Sequence, residues 1–267
     1  MSQSTPPSGP ASQAPAATPT LLRFARIAVV LAIVAALVAI VSGPGNRFGW
    51  WDYRRAFTIL GWASGGGMIA ALASMAVLVW AAKRQAWRPL ILAAVALLIG
   101  AMTFILPFPL QWRTNAPSIH DISTDTEQPP VFRALAFARA NAPNGVDYGG
   151  PAVAAEQKKA YPDIVPLTLA ARPEQALNQC LQVARAMDWS IADGSITPLG
   201  FEATETTVFF GFRDDIIVRL TPVGASGQAT RVDVRSVSRV GRGDHGVNAR
   251  RIREFFRLLS RTPIKTD

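Results

Sequence analysis

Apolar and polar positions follow two regimes along this chain, and the change between them falls near residue 112. Before it, three long intervals carry no charged residue: Ile27 to Asn46, Ala56 to Ala82 and Pro89 to Trp112. Roughly 20 apolar residues in a helix cross about 30 Å of hydrocarbon, so each interval is long enough to span a bilayer. The pattern predicts transmembrane helices at about 24–44, 57–82 and 89–110, within a helical region 21–112. Trp50, Trp51, Trp80, Trp87 and Trp112 fall near segment ends, where amphipathic rings favour the membrane interface. Residues 1–20 are rich in Pro, Ala, Ser, Thr and Gln, with neither charge nor periodicity, and are expected to form a disordered tail. Arg23 and Arg26 before the first run would suit a cleaved signal peptide. The polar tail ahead of it and the absence of a small-x-small site in "VAIVSGPG" favour a retained span.

After a linker at 113–130, a domain is expected over 131–267. "PPVFRALAFARANA" predicts a short helix with Val131, Leu135 and Ala138 on one side. Residues 141–172 carry Gly and Pro punctuation and read mostly as loop. Pro173 is well placed to open a helix whose buried face is Leu177, Cys180, Leu181, Ala184 and Met187. Past Asp188 the period shortens to two, and "WSIAD", "FEATETT", "DIIVRLTP" and "ATRVDVRSVSRV" predict four strands. "VNARRIREFFRLLSR" then places Ile252, Phe255, Phe256 and Leu259 at helical spacing. The fold class expected is an α+β domain, with an antiparallel sheet of about four strands and helices packed on one face. In the last strand Val232 and Val234 must face the core. This leaves Arg231, Arg235 and Arg239 on an exposed face, with Asp233 and Glu202 or Glu205 as cross-strand partners and a bulge near 236–238.

Charge separates the two regions further. Residues 1–115 hold nine Lys/Arg against one acid, Asp52, whereas residues 116–267 hold eighteen against seventeen. The excess therefore flanks the apolar segments, which argues for anionic headgroups and against a nucleic-acid partner. An N-in arrangement puts Arg23, Arg26, Lys83, Arg84 and Arg88 in the cytoplasm and Arg47, Arg54, Arg55 and Arg113 outside. The cluster "KRQAWR" supports it. The expected location is the inner membrane, multi-pass, with a periplasmic C-terminal domain. In the second span, Gly61 and Gly65, and Ala63, Gly67 and Ala71, form small-residue stripes. They suit packing within the chain or a homo-oligomer.

Several stretches carry a resemblance: "IHDISTD" at 119–125, "FEATETT" at 201–207, "GFRDDIIVRL" at 211–220 and "RVDVRSVSRVGRGDHGVNARRIREFF" at 231–256. In motif order they are similar to the bacterial domain-of-unknown-function family 1499, over roughly residues 117–261. Membrane-spanning segments ahead of the domain also resemble an architecture of that family. The resemblance implies no activity to carry over.

Candidate chemistry is sparse. Cys180 is the sole cysteine and lies on an apolar helical stripe. One cysteine and two histidines argue against a His/Cys metal site. No G-x-S-x-G, H-E-x-x-H or P-loop pattern occurs, and no cofactor is implied. Asp214, Asp215 and His245 are the acid–base candidates. However, adjacent aspartates on a strand point to opposite faces, and Arg213 and Arg219 offer ordinary ion-pair partners. The loop "GRGDHGVN" before a helix could receive an anion on its N–H groups with Arg242 and Gly243, unless Asp244 caps the turn itself. Arg250, Arg251, Arg253 and Arg257 make a basic helix face suited to anionic lipid or an acidic partner. The expectation is a non-catalytic membrane protein whose domain binds or scaffolds at the envelope surface. The alternative is a hydrolase-type enzyme on an envelope or lipid substrate.

Overall fold

The computed structural model describes residues 19–107, 116–224 and 227–263. It divides the chain into two compact units, residues 1–112 and 113–267. The first unit consists of helices α1 (Pro19–Arg47), α2 (Tyr53–Lys83) and α3 (Trp87–Ile105), each long and apolar enough to cross a membrane. Helix α1 begins inside the stretch expected to be a tail. The rest of that stretch, and the expected end of the third span with Pro109, Trp112 and Arg113, lie outside the described residues. Asp52, the lone acid of this region, caps α2 by accepting the Arg54 and Arg55 amides at 2.8 and 3.0 Å.

Packing in this unit is inverted relative to a water-soluble bundle. Its buried positions are mostly small, among them Ala28 and Ala32 of α1, Ala63, Gly67 and Ala70 of α2, and Ala93, Ala96 and Gly100 of α3. Large side chains such as Ile27, Val30, Ile69, Leu72 and Leu98 stay exposed. Helices surrounded by lipid gain little by hiding leucine and gain close contact by placing small residues between their backbones. A Cβ on Gly67 would lie 2.8 Å from the Gly100 carbonyl oxygen, and one on Gly100 2.7 Å from that of Gly67. The Gly67 stripe thus packs within the chain, while a Cβ on Gly61 or Gly65 would meet nothing within 4 Å.

The second unit is α+β. In chain order it contains β1 (Asp121–Ser123), α4 (Ala136–Arg139), α5 (Gly150–Ala160), β2 (Leu167–Leu169), α6 (Pro173–Ala186), β3 (Ser190–Ile191), β4 (Gly200–Thr206), β5 (Arg213–Val223), β6 (Ala229–Ser238) and α7 (Val247–Leu259). All pairings are antiparallel, in the order β1-β6-β5-β4-β3, and β2 extends the edge along β6 beyond β1. The four expected strands are present. The two additional ones, β1 and β2, are three-residue strands in stretches expected to be linker and loop, too short to carry an alternation. Pairing of β5 with β6 runs without interruption from Asp214↔Ser238 to Val223↔Ala229, so the bulge expected near 236–238 does not form.

One sheet face carries Phe201, Ala203, Ile216, Val218, Leu220, Val232 and Val234 into the core, against Cys180, Leu181 and Ala184 of α6 and Ile252, Phe255 and Leu259 of α7. Trp189 stacks on Phe255 with ring centroids 5.0 Å apart. The opposite face was expected to meet solvent, and over much of its length it does not: Asp215, Asp233, Arg235 and Val237 are buried, while Arg219 and Arg231 stay partly exposed. Residues 125–148 fold across it, burying Phe132 and Leu135 against Val237 and Ile217. The segment expected as a helix is helical only over α4, and it buries Phe132, Leu135 and Arg139 rather than Val131, Leu135 and Ala138. At the β1 edge, the Gln157 side chain bonds both ways to Ser123, accepting its N–H at 2.9 Å and donating to its carbonyl at 2.7 Å.

Gly200 gives a direct test of the β4–β5 packing. Its φ is +138°, and a Cβ there would sit 1.9 Å from the Val218 carbonyl oxygen. Gly200→Ala should destabilise the domain by at least about 1–3 kcal/mol, the cost of holding a side chain in that backbone region. Urea unfolding, followed by exposure of the buried Cys180 to a pyridyl disulfide, should show a lower midpoint.

Candidate functional site

Adjacent aspartates on β5 face opposite ways, as strand geometry requires. Asp215 points into the covered face. Its carboxylate accepts from Arg139 Nη1 at 2.7 Å, Arg239 Nε at 2.8 Å, Arg239 Nη2 at 2.9 Å and the Thr204 hydroxyl at 2.7 Å. Burial by itself would raise its pKa. The hydrogen bonds from Arg239 and Thr204 and the positive charge of Arg239 outweigh burial and hold it below the usual 3.8. Arg139 also donates to the carbonyls of Val237, Asn144 and Gly145, so its whole guanidinium is engaged.

Arg235, expected at the surface, is buried in the same layer. It grips Asp121 with two bonds of 2.9 and 2.7 Å and donates to the carbonyls of Pro130 and Val146, both at 3.0 Å. The rings of Phe132 and Tyr148 lie 5.4 and 5.5 Å from its guanidinium carbon. Burial, then the charge of Asp121, pushes the Tyr148 hydroxyl up to about 12. Arg219 and Arg231 share Asp233 and Asp125. Glu202 accepts the backbone N–H groups of Arg133, Ala134 and Leu135 rather than pairing with a β6 arginine, and so holds the approach to α4.

Asp214, on the other face, meets Arg251 of α7 at 2.7 Å, and Arg251 also pairs with Glu205. The partners expected in sequence, Arg213 and Arg219, are not the ones used. Arg251 further donates to Ser236 Oγ and Asn248 Oδ1, and Asn248 donates to the His120 carbonyl and Ser238 Oγ. Asp244 accepts the amides of Gly246 and Asn248 and so fills the N-terminus of α7 with its own carboxylate. The anion position beside Arg242 and Gly243 is thereby occupied by the chain itself. Burial, helped by the charge of Asp214, raises the Asp244 pKa despite those amides. His245 sits exposed at φ +55°, and no hydrogen bond joins it to Asp214 or Asp215 among the described residues.

Of the four helix arginines, Arg251 is buried. Arg253 bonds Asp163 at 2.5 and 2.7 Å and lies over the Tyr161 ring, Arg257 pairs with Glu254, and Arg250 is exposed. They border an open groove of about 500 Å³ whose lining includes Glu205 and Glu254 as well as Met187. Among the described residues no group of three or more His, Cys, Asp or Glu could hold a metal ion. Burial pushes the Cys180 thiol up to about 12.

Sequence reasoning missed Asp121, Asp125, Arg139 and Asn248 as members of these networks. Complementarity across strands was the available signal. Arg219 and Asp215 on β5, and Thr204 and Glu202 on β4, fall on the same side as the β6 arginines.

A bundle of three helices long and apolar enough to cross a membrane, followed by an antiparallel α+β domain with an arginine–carboxylate layer, defines the class. The family model described as "Protein of unknown function (DUF1499)" matches residues 121–259, more than half of the chain, and the chain belongs to that family. No curated protein matches it.

Removing one partner of a buried ion pair leaves the other charge unpaired, at a cost of about 3–5 kcal/mol. Asp215→Ala should destabilise by that order, and Asp215→Asn by less. A carboxylate whose pKa is depressed on folding stabilises above its unfolded pKa and loses that contribution as pH falls through the folded value. The gap in urea midpoint between the parent and Asp215→Asn should therefore be full at pH 6 and close only below pH 3.8. Asp244, with its raised pKa, has the opposite sign: the parent loses stability as pH rises from 3.8 through the folded value, so Asp244→Asn should gain relative to the parent over that interval.

Proposed function

We propose that this is a multi-pass inner-membrane protein whose C-terminal domain stands on the periplasmic side and binds or scaffolds at the envelope surface without catalysis. The observation that carries the reading is the commitment of the acid–base candidates. Asp214 and Asp215 are divided between the two sheet faces, and each is buried and paired with arginine, Asp214 with Arg251 and Asp215 with Arg139 and Arg239. A general base needs a carboxylate that can reach a substrate proton, and neither has that freedom. Exposed cations at Arg213, Arg242 and Arg250 leave the domain suited to an anionic surface. The orientation rests on "KRQAWR" between α2 and α3, a basic cluster that favours retention in the cytoplasm.

Two measurements test this. Alkaline phosphatase fused to the C-terminus should be active, and a cytoplasmic reporter fused there silent; the reverse would overturn the orientation. The full chain in lipid nanodiscs should show no turnover of general phosphatase, esterase or peptidase substrates. Turnover that disappears in a folded His245→Ala variant would establish the enzyme reading instead.

A further inference from the structure

One end of the sheet gathers three loops. Residues 116–120 bring the chain into β1, residues 207–212 join β4 to β5, and residues 239–246 lead from β6 to α7. Backbone bonds fasten them together: Arg239 N to the Arg213 carbonyl at 3.0 Å, Ser238 N to that of His120 at 3.0 Å, and Asp244 N to that of Ile119 at 3.2 Å. The β4–β5 connection, "TVFFGF", is tightly built. Gly211 N and Phe212 N both return to Thr207, and Phe210 stacks on Phe212 at 5.1 Å. Phe210 is buried, yet Val208 is 87% exposed and Phe209 42% exposed. Arg213 and Arg242 of the same loop cluster are exposed, while of the acids at this end Asp121, Asp214, Asp215 and Asp244 are buried and the half-buried Glu205 is paired with Arg251.

We propose that this end docks on an anionic lipid surface, with Val208 and Phe209 seated among the headgroups and Arg213 and Arg242 on lipid phosphates. The inference rests on the proposed binding role and assigns it a surface and a ligand class. Apolar tips ringed by cations are what an anionic interface recognises, because burial and charge attraction act together there. The tether supports that choice of occupant. Eight residues separate Pro107 from Ala116, and such a stretch spans at most about 30 Å. Ala116 and Ser118 pack beside Gly246 and Gly243, so the chain joins the domain at this end. Two other surfaces lack the combination. Ile196 and Leu199 are exposed at the opposite end of β4, but residues 189–199 contain Asp193 and no cation. The α7 face carries Glu254 and Glu205 among its arginines.

Cys180 is buried and is the only native cysteine, so a new surface cysteine can be labelled selectively. Val208→Cys, Leu199→Cys and Arg250→Cys forms of the full chain would carry an environment-sensitive nitrobenzoxadiazole label. They would be placed in nanodiscs of phosphatidylglycerol or phosphatidylcholine containing a spin-labelled lipid quencher. Quenching at position 208 should be about threefold or more stronger in the anionic bilayer, as expected of two interfacial cations. Arg213→Glu with Arg242→Glu should bring it down to the neutral-lipid level, and position 199 should stay unquenched. Equal quenching at 199 and 208 would overturn the proposal. So would a 208 label shielded from iodide but not reached by the lipid quencher, which would indicate a protein partner or second copy. Quenching at position 250 with 208 dark would also overturn it, moving the contact to α7 while leaving the binding role standing.

Discussion

Arg139 and Arg235 have almost no solvent exposure, and the second face of the sheet depends on them. Carrying a guanidinium out of water costs several kcal/mol unless its donors are all met. Here Asp215 and Asp121 supply the charge, and the carbonyls of Pro130, Asn144, Gly145, Val146 and Val237 supply the remaining acceptors. All of those carbonyls except that of Val237, which lies on β6, come from a covering segment with little regular structure. Such a segment has few ladder bonds of its own, and the arginines take their place. An apolar layer could have bound the same segment in many registers. Directional bonds to named carbonyls select one.

Much of the architecture was legible in the chain. Three charge-free intervals marked the helices, and period-two alternation marked β4, β5 and β6. The burial of Arg235 was not legible, because alternation tells which residues share a face and not what covers it. Val232 and Val234 identified one core face. The other face was assigned to solvent by default, since Arg231, Asp233, Arg235 and Arg239 are polar. What reversed the assignment lies about 100 residues earlier, in a stretch whose only predicted element was a short helix set among Pro, Asn and Gly. Likewise Asp244 was recognisable as a turn or helix cap, whereas Arg251 read as one of several surface cations. Its burial depends on Asp214 and Glu205, which reach it only once β4 and β5 pair.

The helical unit and the domain solve opposite problems with opposite residues. Lipid makes large apolar side chains cheap to expose, so close approach of Gly67 to Gly100 becomes the means of holding helices together. In water, the same chain hides its large apolar side chains between α6, α7 and the sheet.

The Gln157 amide has a consequence for how the domain meets other chains. By bonding both the N–H and the C=O of Ser123, it stands in for one residue of a neighbouring strand. At the opposite edge, β3 is only two residues long. An open edge invites extension by a foreign peptide or by another copy, the route to β-augmentation and to amyloid-like stacking. With one border stoppered by a side chain and the other cut short, this sheet offers little backbone to template. At these two places a neighbouring molecule would meet side chains more than free backbone.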